Sequence, residues 1–94
     1  MLRITLEYER DQVRLELDGS LAGLWVSELE SAWRSANPGI AGRSVYLSLK
    51  GVEHVDRAGA YLLALLRQRG VELVASGPAM TELVRSIDQD WPRV

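Results

Sequence analysis

Along Leu2-Arg3-Ile4-Thr5-Leu6-Glu7-Tyr8 the apolar residues hold the even positions, and along Val13-Arg14-Leu15-Glu16-Leu17 they hold the odd ones. Period two is what a half-buried strand requires, so both segments are predicted to be strands. Glu9-Arg10-Asp11-Gln12 between them is polar and short enough for a hairpin turn. The outward residues of the pair are charged, which suits antiparallel pairing near a sheet edge. Asp18-Gly19-Ser20 is expected to end the pair and to cap the next element.

The period then changes. From Leu21 to Ala36 the residues Ala22, Trp25, Val26, Leu29, Ala32, Trp33 and Ala36 recur three or four apart, with Glu28, Glu30 and Arg34 on the other side. That is one face of a helix. Asn37-Pro38-Gly39 is expected to stop it. Ser44 to Leu49 alternates again and predicts a third strand, followed by a short loop from Lys50 to Val55. A second helix is expected over Ala58 to Arg69, closed by Gly70 at C′, with Arg67 and Arg69 complementing the negative helix end. Val71 to Ala75 reads as a fourth strand. Ser76-Gly77-Pro78 opens a third helix whose buried stripe is Met80, Leu83, Val84 and Ile87. Asp88 to Val94 is a short, mixed tail, in which Trp91 is expected to pack on the domain rather than to mediate self-association.

The order is β-β-α-β-α-β-α. Strands alternating with helices imply right-handed crossovers and a partly parallel sheet, with the first strand added antiparallel. A chain of 94 residues forms one domain, here 1–94 with its core over about 2–87. With 11 basic residues against 13 acidic ones the net charge is −2, too weak a field to attract nucleic acid or an anionic membrane. Ten of the eleven cations are arginine, a bias that single-site chemistry does not require. The start alternates charged and apolar residues, unlike a signal peptide, and no apolar run is long enough to cross a bilayer. A cytoplasmic location is the expectation.

Chemistry is sparse. Cysteine is absent, which removes disulfides, thiolate catalysis and sulfur-based zinc sites. His54 is the only histidine, and no serine lies on a glycine-flanked elbow. No clustered metal ligands, Walker loop or dinucleotide fingerprint occurs, so no metal or cofactor is expected and the chain does not read as an enzyme.

The segment HVDRAGAYLL, from His54 to Leu63, is the most informative. Asp56 fits an N-cap, accepting a hydrogen bond from a backbone N–H one or two residues into the helix. Gly59, in the first turn, permits close approach by another backbone or a partner. Tyr61, Leu62, Leu63, Leu65 and Leu66 cover more than one helical face, whereas packing on a sheet needs a stripe of roughly 100°. Apolar surface is therefore left over, and in a small domain a partner accounts for it more readily than a further core.

Three stretches together resemble a STAS domain, the family of sulphate transporters and anti-sigma-factor antagonists. Leu15 to Leu21 resembles its second strand and glycine turn. Val45 to Val52 resembles its third strand, with Ser48 where aspartate is frequent. Val55-Asp56-Arg57-Ala58-Gly59 resembles its Asp-Ser-Ser-Gly helix entrance. The likeness in element order runs from about Leu2 to Ile87. It implies an α/β fold with a mixed, mostly parallel sheet of four to five strands and helices mainly on one face.

It also implies a non-catalytic protein-binding module, in bacteria an anti-sigma-factor antagonist regulating transcription, whose partner is an anti-sigma factor or kinase-like protein. In those antagonists the first serine of the entrance is phosphorylated. Here that position is Arg57 and the next is Ala58, so a phosphoserine switch is expected to be missing. The expected partner-binding set is His54, Asp56, Arg57, Ala58, Gly59 and Tyr61. Arg57 has a second reading, as a side chain that merely points into water. Two alternatives in function stay open: an accessory subunit of an ABC-type lipid transporter, with its ATPase as partner, and a small-ligand or nucleotide-binding regulatory domain. A homodimer is allowed.

Overall fold

The computed structural model describes residues 1–36 and 42–90. The expected helix stop at Asn37-Pro38-Gly39 and the expected packing of Trp91 lie outside the described residues. Seven elements run in the predicted order: β1 (Leu2–Tyr8), β2 (Gln12–Leu21), α1 (Leu24–Ala36), β3 (Ser44–Val55), α2 (Arg57–Gln68), β4 (Glu72–Val74) and α3 (Pro78–Asp90). The sheet has four strands, ordered β1-β2-β3-β4. β1 runs antiparallel to β2, while β2–β3 and β3–β4 are parallel.

Alternation gives this sheet two different faces. On one, Val13, Leu15, Leu17, Val45, Leu47 and Leu49 are buried and join a core built with Leu29 and Trp33 of α1, Leu62, Leu63 and Leu66 of α2, and Ile87 of α3. All three helices thus share one side; for α1 and α2 this is what two successive crossovers of the same hand in one direction require. Burying each large aliphatic side chain contributes about 1.5–3 kcal/mol relative to leaving it exposed. On the other face Arg14 sits among Glu7, Glu9 and Glu16, at 3.6, 3.4 and 3.9 Å. Among the described residues no polar or charged residue is buried.

The elements depart from the sequence pattern at their ends. Asp18, Gly19 and Ser20 do not end the hairpin or cap a helix: they continue β2, all three paired with β3, while Asp18 and Gly19 also pair with β1 and the Ser20 N–H donates to the Met1 carbonyl. α1 accordingly begins at Leu24, three residues later than expected. The segment expected to be a loop, Lys50 to Val55, is the second half of β3. While β2 advances from Glu16 to Asp18, β3 advances from Ser48 to Gly51; while β2 advances from Gly19 to Ser20, β3 advances from Val52 to His54. Each step puts one extra residue on β3, a bulge that breaks the alternation. Burial therefore moves from Leu49 to Val52 instead of following odd positions, and the segment does not look like a strand.

β4 is shorter than expected, at three residues. α3 continues through Asp88, which the sequence placed in an unassigned tail; Asp88 Oδ1 accepts a hydrogen bond from Arg67 Nε of α2 at 3.1 Å. Gly70 lies just past the C-cap of α2 with φ +94°, a backbone angle that side chains resist.

Candidate functional site

The parallel strands β2 and β3 end side by side, and each feeds a helix. Asp56, the residue after β3, is the N-cap of α2. Its Oδ1 accepts from the Gly59 N–H at 2.8 Å, three residues on. Its Oδ2 accepts from the Gly23 N–H at 2.9 Å, across 33 positions of sequence. Its own backbone N–H donates to the Leu21 carbonyl at 3.2 Å. One aspartate therefore ties the exit of β2 and the start of α1 to the start of α2. The Gly23 and Gly59 N–H bonds stabilise the charged form, in that order of weight, and hold the Asp56 carboxyl below its ordinary value.

Gly59 completes the clasp from below. A Cβ at this position would come within 2.5 Å of the Leu21 carbonyl oxygen and 3.1 Å of Val55 Cγ1. Only glycine lets the first turn of α2 settle on the end of β2. The close approach expected at Gly59 is real, but it is made by the chain's own backbone. Gly59 is buried and offers nothing to a partner.

The other expected residues are at the surface. Arg57 and Ala58, the first two residues of α2, and His54, paired with Ser20 near the end of β3, are all exposed. The His54 imidazole makes a smaller Coulombic contribution to Asp56, which places the two in one electrostatic neighbourhood. Tyr61 is 51% exposed and Leu65 is 38% exposed. They follow Ala58 at the spacing of one helical face. The surplus apolar surface expected on this helix is present.

Two contributors lie outside the expected set. Gly23 supplies a backbone donor, which no side-chain pattern reveals. Leu24, its neighbour at the start of α1, is 71% exposed. Leu24 lies off the stripe of Trp25, Val26 and Leu29, and that mismatch could have marked it. From Leu65 the apolar surface continues into a shallow groove of about 180 Å³ between α1 and α2, whose lining includes Trp33, Arg34, Leu62 and Arg69. A larger depression of about 520 Å³ lies on the helix-free face of the sheet and includes none of the expected site residues.

No Ser or Thr hydroxyl occurs in the first turn of α2, where Arg57 and Ala58 stand. Among the described residues no group of three or more His, Asp and Glu side chains could hold a metal ion. None of their helices is long and apolar enough to cross a membrane.

No family model and no curated protein matches the chain. Solved structures do. An anti-sigma factor antagonist from Mycobacterium paratuberculosis matches at TM-score 0.80 and 20% identity, over 98% of this chain and 84% of its own. The anti-sigma factor antagonist SpoIIAA in its unphosphorylated form matches at TM-score 0.67 and 21% identity, over 89% and 83%. An antisigma-factor antagonist STAS domain from Rhodobacter sphaeroides matches at TM-score 0.61 and 17% identity, over 87% and 90%. The chain therefore has the STAS-type, SpoIIAA-like fold, and the resemblance in the sequence is borne out at that level.

Proposed function

We propose that this chain is a non-catalytic protein-binding module of the anti-sigma-factor-antagonist kind, docking its partner at the entrance of α2. One observation carries the reading: Leu24, the first residue of α1, and Tyr61, one turn after Arg57 in α2, are exposed on two helix starts held together by Asp56, with Leu65 exposed one turn further along α2. Tyrosine and arginine are among the residue types enriched in interface hot spots, and Leu24 and Leu65 add apolar surface around them. Arg57 stands at the positive end of the helix dipole, where a cation is disfavoured. A cation placed against its local electrostatics suits a role in recognising a carboxylate on the partner.

Phosphorylation at this entrance would add nearly two negative charges. Arg57 and Ala58 offer no hydroxyl to accept them, so the docking surface is constitutive and its control rests with the partner's availability. An anti-sigma factor or kinase-like protein is the partner this reading favours.

The test is to identify the partner by affinity capture and then to titrate the purified pair. Tyr61→Ala and Arg57→Glu should each weaken binding by about tenfold or more, with the circular dichroism of the free protein unchanged. Wild-type affinity in both variants would remove the α2 entrance from the interface.

A further inference from the structure

The sheet has two free edges, and they differ. β4 is only three residues long, a length that protects an edge from pairing. β1 is seven residues long and keeps an unbroken register with β2 from Leu2↔Gly19 to Tyr8↔Val13. It contains no proline and no bulge.

The hydrogen-bond phase of β1 is fixed at both ends. Ser20 N–H donates to the Met1 carbonyl at 2.9 Å, and Glu9 N–H donates to the Gln12 carbonyl at 2.8 Å. In an antiparallel ladder the bonded residues alternate. Odd residues of β1 therefore bond inward to β2, and Leu2, Ile4, Leu6 and Tyr8 direct their N–H and C=O groups out of the sheet.

We propose that β1 is a self-pairing edge, joining antiparallel to β1 of a second copy with the two-fold axis at Thr5. Outward groups can meet only if even residues oppose even residues, which excludes every register that pairs odd with even. Centring on Thr5 places Leu2 opposite Tyr8 and Ile4 opposite Leu6 of the second copy, so the outward groups pair throughout. On the helix-covered side, Ile4 and Leu6, each still partly exposed, cover one another. On the other side, Arg3 stands opposite Glu7 of the second copy, twice by symmetry.

Of the allowed neighbouring registers, the one centred on Ile4 sets Arg3 opposite Thr5 and loses both side-chain charge pairs. The one centred on Leu6 sets Glu7 opposite Thr5 and Arg3 opposite Glu9, which lies outside β1 and is already held by Arg14 at 3.4 Å and by Gln12 at 2.6 Å. Arg3 has no ion-pair partner among the described residues. Glu7 is about half exposed, and its one ion-pair partner among the described residues, Arg14, lies at 3.6 Å. Opposite charges directly across a sheet stabilise pairing, and like charges oppose it. The product is a continuous eight-stranded sheet formed from two copies of four strands, with an isologous interface.

Sedimentation velocity over a concentration series tests this. The wild-type chain should show a concentration-dependent dimer. Arg3→Glu alone sets a new carboxylate against the Glu7 carboxylate of the second copy, and Glu7→Arg alone sets a new guanidinium against that of Arg3. Each should raise the dimer dissociation constant by about tenfold or more. An equimolar mixture of the two variants restores both opposite-charge pairs and should dimerise as the wild type does. Circular dichroism of each variant checks that it is folded. A wild-type chain that stays monomeric, single variants that dimerise unchanged, or a mixture that stays monomeric would each overturn the proposal.

Discussion

The two halves of β3 obey different rules. From Ser44 to Leu49 the strand alternates, and Val45, Leu47 and Leu49 enter the core in step. From Lys50 to Val55 two extra residues break that step, and the strand twists onward to deliver His54 and Asp56 beside the end of β2. The regular half makes stability, and the irregular half makes position. Bulges are a common device for aiming side chains near functional sites. Here they bring the cap of α2 within hydrogen-bonding distance of Gly23.

The contrast can be broken from either side. Leu47 is fully buried in the regular half, and Leu47→Ala should cost about 2–5 kcal/mol in chemical denaturation. A smaller loss would mean that the core collapses around the missing side chain. Asp56→Ala removes both clasp bonds and should produce a smaller loss, distinguishable by its pH dependence. Because the folded-state pKa of Asp56 is depressed, its stabilisation is fully present above the unfolded value of about 3.9. It fades as pH falls through the lower folded value. Wild-type and Asp56→Ala stabilities should therefore converge at acidic pH, whereas the Leu47→Ala deficit should persist. A gap between wild type and Asp56→Ala that stays constant to the lowest pH at which both fold would count against the clasp.

The smallest effect sharpens the comparison most. Arg57→Glu exchanges a cation for an anion at the positive end of α2 and should stabilise the free protein by about 0.5 kcal/mol. The same substitution is expected to weaken partner binding. Stability and recognition moving in opposite directions would separate the two roles at a single residue. A destabilised Arg57→Glu protein would show that Arg57 has a structural function instead.

Legibility in the sequence divides along the same line. β1 was legible to the residue, because unbroken alternation carries both its length and its facing. The closing glycine of α2 was legible because Gly70 comes directly after the helix's last turn. The cap at Asp56 was legible too, although its bond falls at Gly59 rather than one or two residues in. The second half of β3 was not, since a bulged strand loses the period by which strands are recognised. Nor was the Gly23 contact, in which a backbone N–H meets a side chain 33 residues away. Of the proposed docking surface, Tyr61 and Arg57 stood out in sequence. Leu24 stands apart in sequence only as an apolar residue off the stripe of α1, a mark that gains meaning once the helix is seen to start there, three residues later than its apolar spacing suggested.

The double grip of Asp56 has a kinetic consequence. Both helix starts are tied together within the free chain, so binding at the proposed surface should involve little ordering of the chain. Encounter should then proceed at the ordinary speed of two rigid surfaces finding one orientation. Rival binders will be told apart by how long they stay.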